Sequence, residues 1–187
     1  MMIVETVHEE KAHWPVRGRS CSSSVKPDIL FSFPTYASFA KAEVNTIYDP
    51  VKLAAATKVK AAELASGLFI NNGEGNFAFT PFPRIAQVAP VKDIAVADFD
   101  GDHQLDLYLV QNFFTPQRET PRLGGGLSQL LRNQGNGNFS TVPPRESGLL
   151  VTGDATSVAV VDLNNDGIRD ISVTQNNGPL LWFVAQP

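Results

Sequence analysis

The sequence predicts a mainly β fold: a partial β-propeller of about two blades plus one strand, preceded by a short N-terminal helical segment. Three observations carry this expectation. An acidic motif occurs twice, as "VKDIAVADFDGDHQLDLYLVQN" (91–112) and "ATSVAVVDLNNDGIRDISVTQN" (155–176), and the copies align without gaps. A second matched pair, "LFINNGEGNF" (68–77) and "LLRNQGNGNF" (130–139), lies upstream of each copy at almost the same offset, which marks an internal repeat. Both segments read as short strands joined by turns, the pattern of an antiparallel repeat architecture.

Taken in order, residues 1–34 read as an irregular N-terminal segment and 35–66 as a helical lead-in. Thr35 is an N-cap after Pro34, and Tyr36, Phe39, Ala40, Val44 and Ile47 fall at helical spacing. Asp49-Pro50 ends that run, and "VKLAAATKVKAAEL" supplies a second helical stretch. The apolar stripe is expected to dock its helix on the sheets.

Residues 67–187 hold the repeats: blade one over 67–127, blade two over 128–178, and the first strand of a further blade over 179–187. "LFI" and "QLLR" start each unit, and Asn-x-Gly-x-Gly-Asn then provides the positive-φ positions of a tight hairpin. "FAFTPF" and "FSTV" return. "DIAVADF" and "SVAVVDL" lead into the acidic loops, and "LYLVQN" and "ISVTQN" leave them. The Pro- and Gly-rich run 113–127 reads as a loop.

Composition narrows the function classes. With 187 residues, 43% hydrophobic and 18% charged, the chain can build a real core. A net charge of -4 argues against nucleic acid as a partner. The acid is concentrated: Asp98, Asp100, Asp102, Asp106, Asp162, Asp166 and Asp170 sit in two short loops. One cysteine, Cys21, excludes an internal disulfide framework. No apolar run approaches a membrane span, and "MMIVETVHEEKAHW" lacks the apolar core of a signal peptide.

Carboxylates crowded in this way repel one another unless a cation is expected among them. In "DFDGDHQLD" the oxygens fall at positions 1, 3, 5 and 9, with the position-7 carbonyl available. Alternating donors of that kind converge on one centre, and hard oxygens in that number favour Ca²⁺ over Mg²⁺ or zinc. The first loop's ligands are expected to be Asp98, Asp100, Asp102, the Gln104 carbonyl and Asp106. Those of the second are Asp162, Asn164, Asp166, the Ile168 carbonyl and Asp170, giving two Ca²⁺ sites. Leu109 and Val173 stand where an EF-hand has its twelfth-position Glu, and strands flank the loops, so an EF-hand is rejected.

"FDGDHQLDL" and "LNNDGIRDI", each preceded by an Asn-x-Gly-x-Gly-Asn-Phe hairpin, resemble the FG-GAP (integrin α-type, also VCBS) repeat. "RGRSCSS", "FPTYASFA" and "ESGLLV" extend the likeness to bacterial relatives of cartilage acidic protein. The resemblance implies β-propeller blades with Ca²⁺ in a hairpin loop, and an extracellular or periplasmic location. His103 departs from the family's usual position-6 glycine, which Gly167 keeps, so a weaker first site is expected. Asn164 removes one charge from the second loop.

No nucleophile–base pair is legible: His8, His13 and His103 are scattered, and "GNGNF" and "GGGL" lack the context of a phosphate loop. The expectation is therefore a non-catalytic calcium-binding module for protein or glycan interaction or scaffolding, a fragment of a larger propeller. The alternative is an accessory segment of an exported enzyme. Two blades and a strand cannot close a ring, so self-association or missing blades are expected to cover the open edges.

Overall fold

The computed structural model describes residues 3–117 and 120–186. The chain divides into two compact units at Ala62/Glu63.

The first unit is not irregular at its start. Strands β1 (Thr6–Glu9) and β2 (Ala12–Pro15) pair antiparallel across a turn in which Glu10 and Lys11 take φ 51° and 70°. Helices α1 (Arg19–Val25) and α2 (Ile29–Ser32) follow. This hairpin escapes a sequence reading because its turn contains neither Gly nor Asn, the residues that announce left-handed positions.

Thr35 does cap a helix: its hydroxyl accepts from Ser38 N (3.0 Å), and Ser38 Oγ accepts from Thr35 N. The single helix expected over 35–48 is broken, however, into α3 (Tyr36–Ala40) and α4 (Val44–Ile47). In a continuous helix Val44 would point about 140° away from Phe39. The break at 41–43 lets Phe39, Ala42, Val44 and Ile47 share one core with Ile29 and Tyr48, inside their own unit. Asp49-Pro50 starts a helix rather than ending one. Asp49 caps α5 (Pro50–Ala55) by accepting from Val51 N (2.8 Å), with Pro50 at the first helical position. Beyond Ala55 the expected helix does not form: Val59 and Leu64 are exposed, and so short a helix needs packing to persist.

The second unit is built from antiparallel sheets, none closed into a barrel. β3 (Gly67–Asn71) and β4 (Phe77–Pro81) pair alone. After a 3₁₀ turn at Arg84–Gln87 come β5 (Val91–Ala97) and β6 (Asp106–Gln111), then β7 (Gln129–Asn133) and β8 (Phe139–Val142). These four form one sheet in chain order. The short helix α6 (Pro144–Ser147) leads to β9 (Ala155–Val161), β10 (Asp170–Gln175) and β11 (Leu181–Phe183), a three-stranded sheet.

The sheets therefore do not follow the boundaries drawn on the repeats. The blade expected over 67–127 is divided, because β4 does not pair with β5, and β6 pairs instead with β7 across the 127/128 boundary through Leu107↔Leu131 and Tyr108↔Leu130. Pro81, Pro83 and Pro90 with the 3₁₀ turn interrupt the first connection. Asn112 secures the second. Its Oδ1 accepts from Gly126 N (2.8 Å) and its Nδ2 donates to Gly126 O (2.9 Å), cinching loop 113–127 shut.

Packing is sequential. One face of β6, Leu107 and Leu109, is buried with Leu131, Phe82 and Ala86, with Leu68 and Phe139 against them. The other face, Tyr108 and Val110, shares a core with Ala95 and with Ile171, Val173, Val158 and Val160 of the next sheet. Asp93 ties the two sheets by accepting from Ser157 Oγ (2.7 Å) and Val158 N (3.0 Å). The last sheet ends differently. On β10 the repeat equivalents of Tyr108 and Val110 are Ser172 and Thr174, and Thr174 Oγ1 bonds Thr156 Oγ1 (2.9 Å). At the other end Ile94 and Val96, equivalents of the packed Val158 and Val160, remain 39% and 51% exposed.

Asn112 also donates to Gly153 O (2.9 Å) and Thr152 O (3.3 Å) at the foot of the next sheet, and it is fully buried with φ 88°. Asn112→Ala should therefore cost about 2–4 kcal/mol in urea unfolding, since buried carbonyls lose their donor. Asn176→Ala, at the exposed equivalent, should cost under about 1 kcal/mol. Equal losses would refute the bridging role.

A second expectation concerns acid. Burial opposes ionisation of Asp93, but the Ser157 hydroxyl and the Val158 and Ile94 N–H groups outweigh it and hold its pKa below the ordinary 3.8. A lowered folded-state pKa contributes stability that is present above the ordinary value and is lost as pH falls through the lowered one. Wild type should exceed Asp93→Asn in melting temperature at neutral pH, and the gap should narrow as the pH falls below the ordinary carboxyl range and through the lowered value. A gap independent of pH would argue against this.

Candidate metal centre

Each acidic loop joins the first two strands of a sheet, β5–β6 and β9–β10. The loops share one backbone path. At position 4, Gly101 and Asn165 have φ 79° and 60°; at position 6, His103 and Gly167 have φ 66° and 85°. Each loop thus places one glycine and one non-glycine in the left-handed region, at swapped positions. His103 and Asn165 both belong to the residue types that tolerate this region, so His103 does not single out the first loop for strain.

The position-1 aspartate organises each turn. Asp98 Oδ2 accepts from His103 N (2.9 Å) and its Oδ1 from Gly101 N (2.7 Å). Asp162 Oδ2 accepts from Gly167 N (2.9 Å) and its Oδ1 from Asp166 N (3.2 Å). Burial opposes ionisation of Asp98, yet these N–H donors prevail and keep its carboxyl below the usual range. It is held ready as an anion.

The position-9 aspartates are buried, each 1% exposed. Asp106 accepts from Phe99 N (3.2 Å) in its own loop and from Asn133 N (2.8 Å) at the end of β7. Asp170 repeats this with Leu163 N (2.8 Å) and Ala185 N (2.9 Å), the latter just past β11. Asn133 adds a bond from its amide to Leu105 O (3.0 Å), and its Oδ1 accepts from Gly135 N (2.8 Å) in the Asn-Gly hairpin. The two repeated motifs therefore meet at the acidic loop.

In the first loop Asp98, Asp100 and Asp106 offer oxygens all within 4.8 Å of one another, a group that can hold a metal ion. Carboxylates retain free lone pairs when each oxygen accepts one N–H, so this donor set fits a hard cation. Asp102 lies outside the group: it is exposed and accepts from Gln104 N (2.8 Å) and Gln104 Nε2 (3.3 Å). Gln104 itself is exposed on the loop. Among the described residues the second loop does not reach that spacing. There Asn164 Nδ2 donates to Asp166 Oδ2 (2.7 Å), and Asp166 Oδ1 accepts from Ile168 N (2.7 Å). Asp162 and Asp170 keep their backbone donors instead.

Three contributors escaped the sequence reading. Arg132 of β7 places Nε 2.6 Å from Asp100 Oδ2. Gln111 and Asn112, identical in both repeats, hold the connections: buried Gln111 donates to Ala86 O (2.9 Å) and Ala89 O (3.1 Å). Their identity across the copies was the available signal.

Comparison with known proteins finds an FG-GAP-like repeat at residues 122–173, a span that takes in β7, β8, β9, the second acidic loop and most of β10. No curated protein matches, and no solved structure matches.

Because Asp106 works as a structural acceptor, Asp106→Ala should cost about 2–4 kcal/mol even in chelator. Asp102→Ala should cost under about 1 kcal/mol under the same conditions. Denaturant melts in EDTA check both, and a mild Asp106→Ala would assign that residue to metal binding alone.

Proposed function

We propose that the C-terminal unit is a non-catalytic, calcium-binding repeat module of propeller type that acts in protein or glycan interaction outside the cell. The observation that carries the reading is the double one at the loops. Two copies of one acidic hairpin fold along the same backbone path, the first gathers three carboxylates, and the second lies within the FG-GAP-like repeat. Asp98, Asp100 and Asp106 would hold the first ion, with Asp102 and the Gln104 carbonyl closing on it. Asp162, Asn164, Asp166, the Ile168 carbonyl and Asp170 would hold the second. Bound calcium would neutralise the loops and fix their shape.

Several features support an interaction role. Ile94 and Val96 on β5 and Phe69 on β3 are exposed apolar side chains, and Trp182 on β11 is 55% exposed. Such surface suits a protein partner or a second copy. Among the described residues no helix is long and apolar enough to cross a membrane.

Calorimetry on metal-stripped protein should show two Ca²⁺ sites and much weaker Mg²⁺ binding. Ca²⁺ should raise the melting temperature by mass action on the folded state, and Asp166→Ala should remove most of the second loop's share. Sedimentation with and without Ca²⁺ would report self-association in the same samples. A flat calcium titration on folded protein would overturn the reading.

A further inference from the structure

The two loops differ at one position in a way that is matched elsewhere. Position 3 is Asp100 in the first loop and Asn164 in the second. β7 and β11 pair with equivalent strands, Leu131 opposite Leu107 and Phe183 opposite Ile171, so Arg132 corresponds to Val184. Where the loop has the extra carboxylate, the neighbouring strand has a guanidinium, 2.6 Å from it. Where that carboxylate is absent, the neighbouring strand has no cation, and the second loop's only arginine is its own Arg169. The first loop thus sets Asp98, Asp100, Asp102 and Asp106 against Arg132, and the second has Asp162, Asp166 and Asp170 with Val184 in the arginine's place.

We propose that Arg132 is an internal counter-ion that occupies Asp100 in the metal-free first loop and sets that loop's affinity for a divalent cation. It brings the first loop from four negative charges to a net three, against a net two in the second, where Arg169 stands at position 8 beside three aspartates. The proposal rests on the calcium reading above and specifies how the first site is tuned. Asp100 and Arg132 side chains are 26% and 46% exposed, so the pair is accessible and can be exchanged. A dication that takes the Asp100 oxygen must either displace the guanidinium or bind beside it. A unit positive charge about 5 Å from a dication weakens binding roughly tenfold even at water-like screening. Arg132 is a positioning residue: it acts on the metal through Asp100.

The test uses the full chain with the second loop disabled by Asp162→Ala, titrated with Ca²⁺ by calorimetry. Adding Arg132→Gln should tighten binding roughly tenfold. Arg132→Lys should restore the parent affinity, and Asp100→Asn with Arg132→Val should also return close to it. In the otherwise native protein, Ca²⁺ should shift the Arg132 Nε–H signal in NMR as the guanidinium leaves Asp100, a readout that needs no variant. Arg132→Gln binding no tighter than the parent, or an unmoved Nε–H signal at calcium saturation, would overturn the proposal while leaving the calcium reading intact. Absence of calcium binding in every variant and in the native chain would overturn both.

Discussion

A carboxylate without solvent access persists only where donors meet its oxygens, and Asp106 and Asp170 each achieve this with two N–H groups from different parts of the chain. One donor comes from the acidic loop and the other from the end of the third strand of the same sheet or just past it. The bond to Asn133 N or Ala185 N fixes where that strand ends relative to the loop. Given that register, Leu131 falls opposite Leu107, and the apolar faces of β6 line up with the layers on either side. The charge at the loop and the packing in the core are therefore one constraint: the loop's last aspartate belongs as much to the sheet as to any ion.

Much of this was legible because it is local. The acidic loops, their left-handed sixth position, the Asn-Gly hairpins and the Thr35 cap all follow from residues within a few positions of one another. Even the contrast between His103 and Gly167 pointed to the correct φ, although it said nothing of Asn165, which carries the same burden two positions earlier in its own loop.

What was not legible depends on partners distant in sequence. The pairing of β6 with β7 bridges a loop closed by the buried amide of Asn112 and by the backbone bridge between Phe113 and Leu123, and no pattern in "FFTPQRETPRLGGGL" announces those bonds. The break between α3 and α4 is set by burial of Ala42 and Val44 against Ile29, which helical spacing alone cannot foresee. Arg132 looked like an ordinary strand residue until the sheet brought Asp100 alongside it. The repeat hid the pair, because Asp100 lies in the first copy and Arg132 in the second, aligned with Ile70 of the first, and only the pairing of β6 with β7 brings them together.

The mismatch between repeat and sheet has a consequence for how such a chain can change length. The duplicated segment supplies the outer strands of one sheet and the inner strands of the next, as shingles overlap on a roof. Excising one segment, 128–178, would join β6 to β11, which holds the place beside β10 that β7 holds beside β6, so the loss of two half-sheets would be made good at the new seam. Inserting a copy would add half a sheet at each seam, and the overlap itself would complete both. The unit of inheritance is thus out of step with the unit of folding. Each sheet is nonetheless contiguous in the chain, so neighbouring sheets are coupled in unfolding by the core between their faces and by the bonds from Asp93 and Asn112.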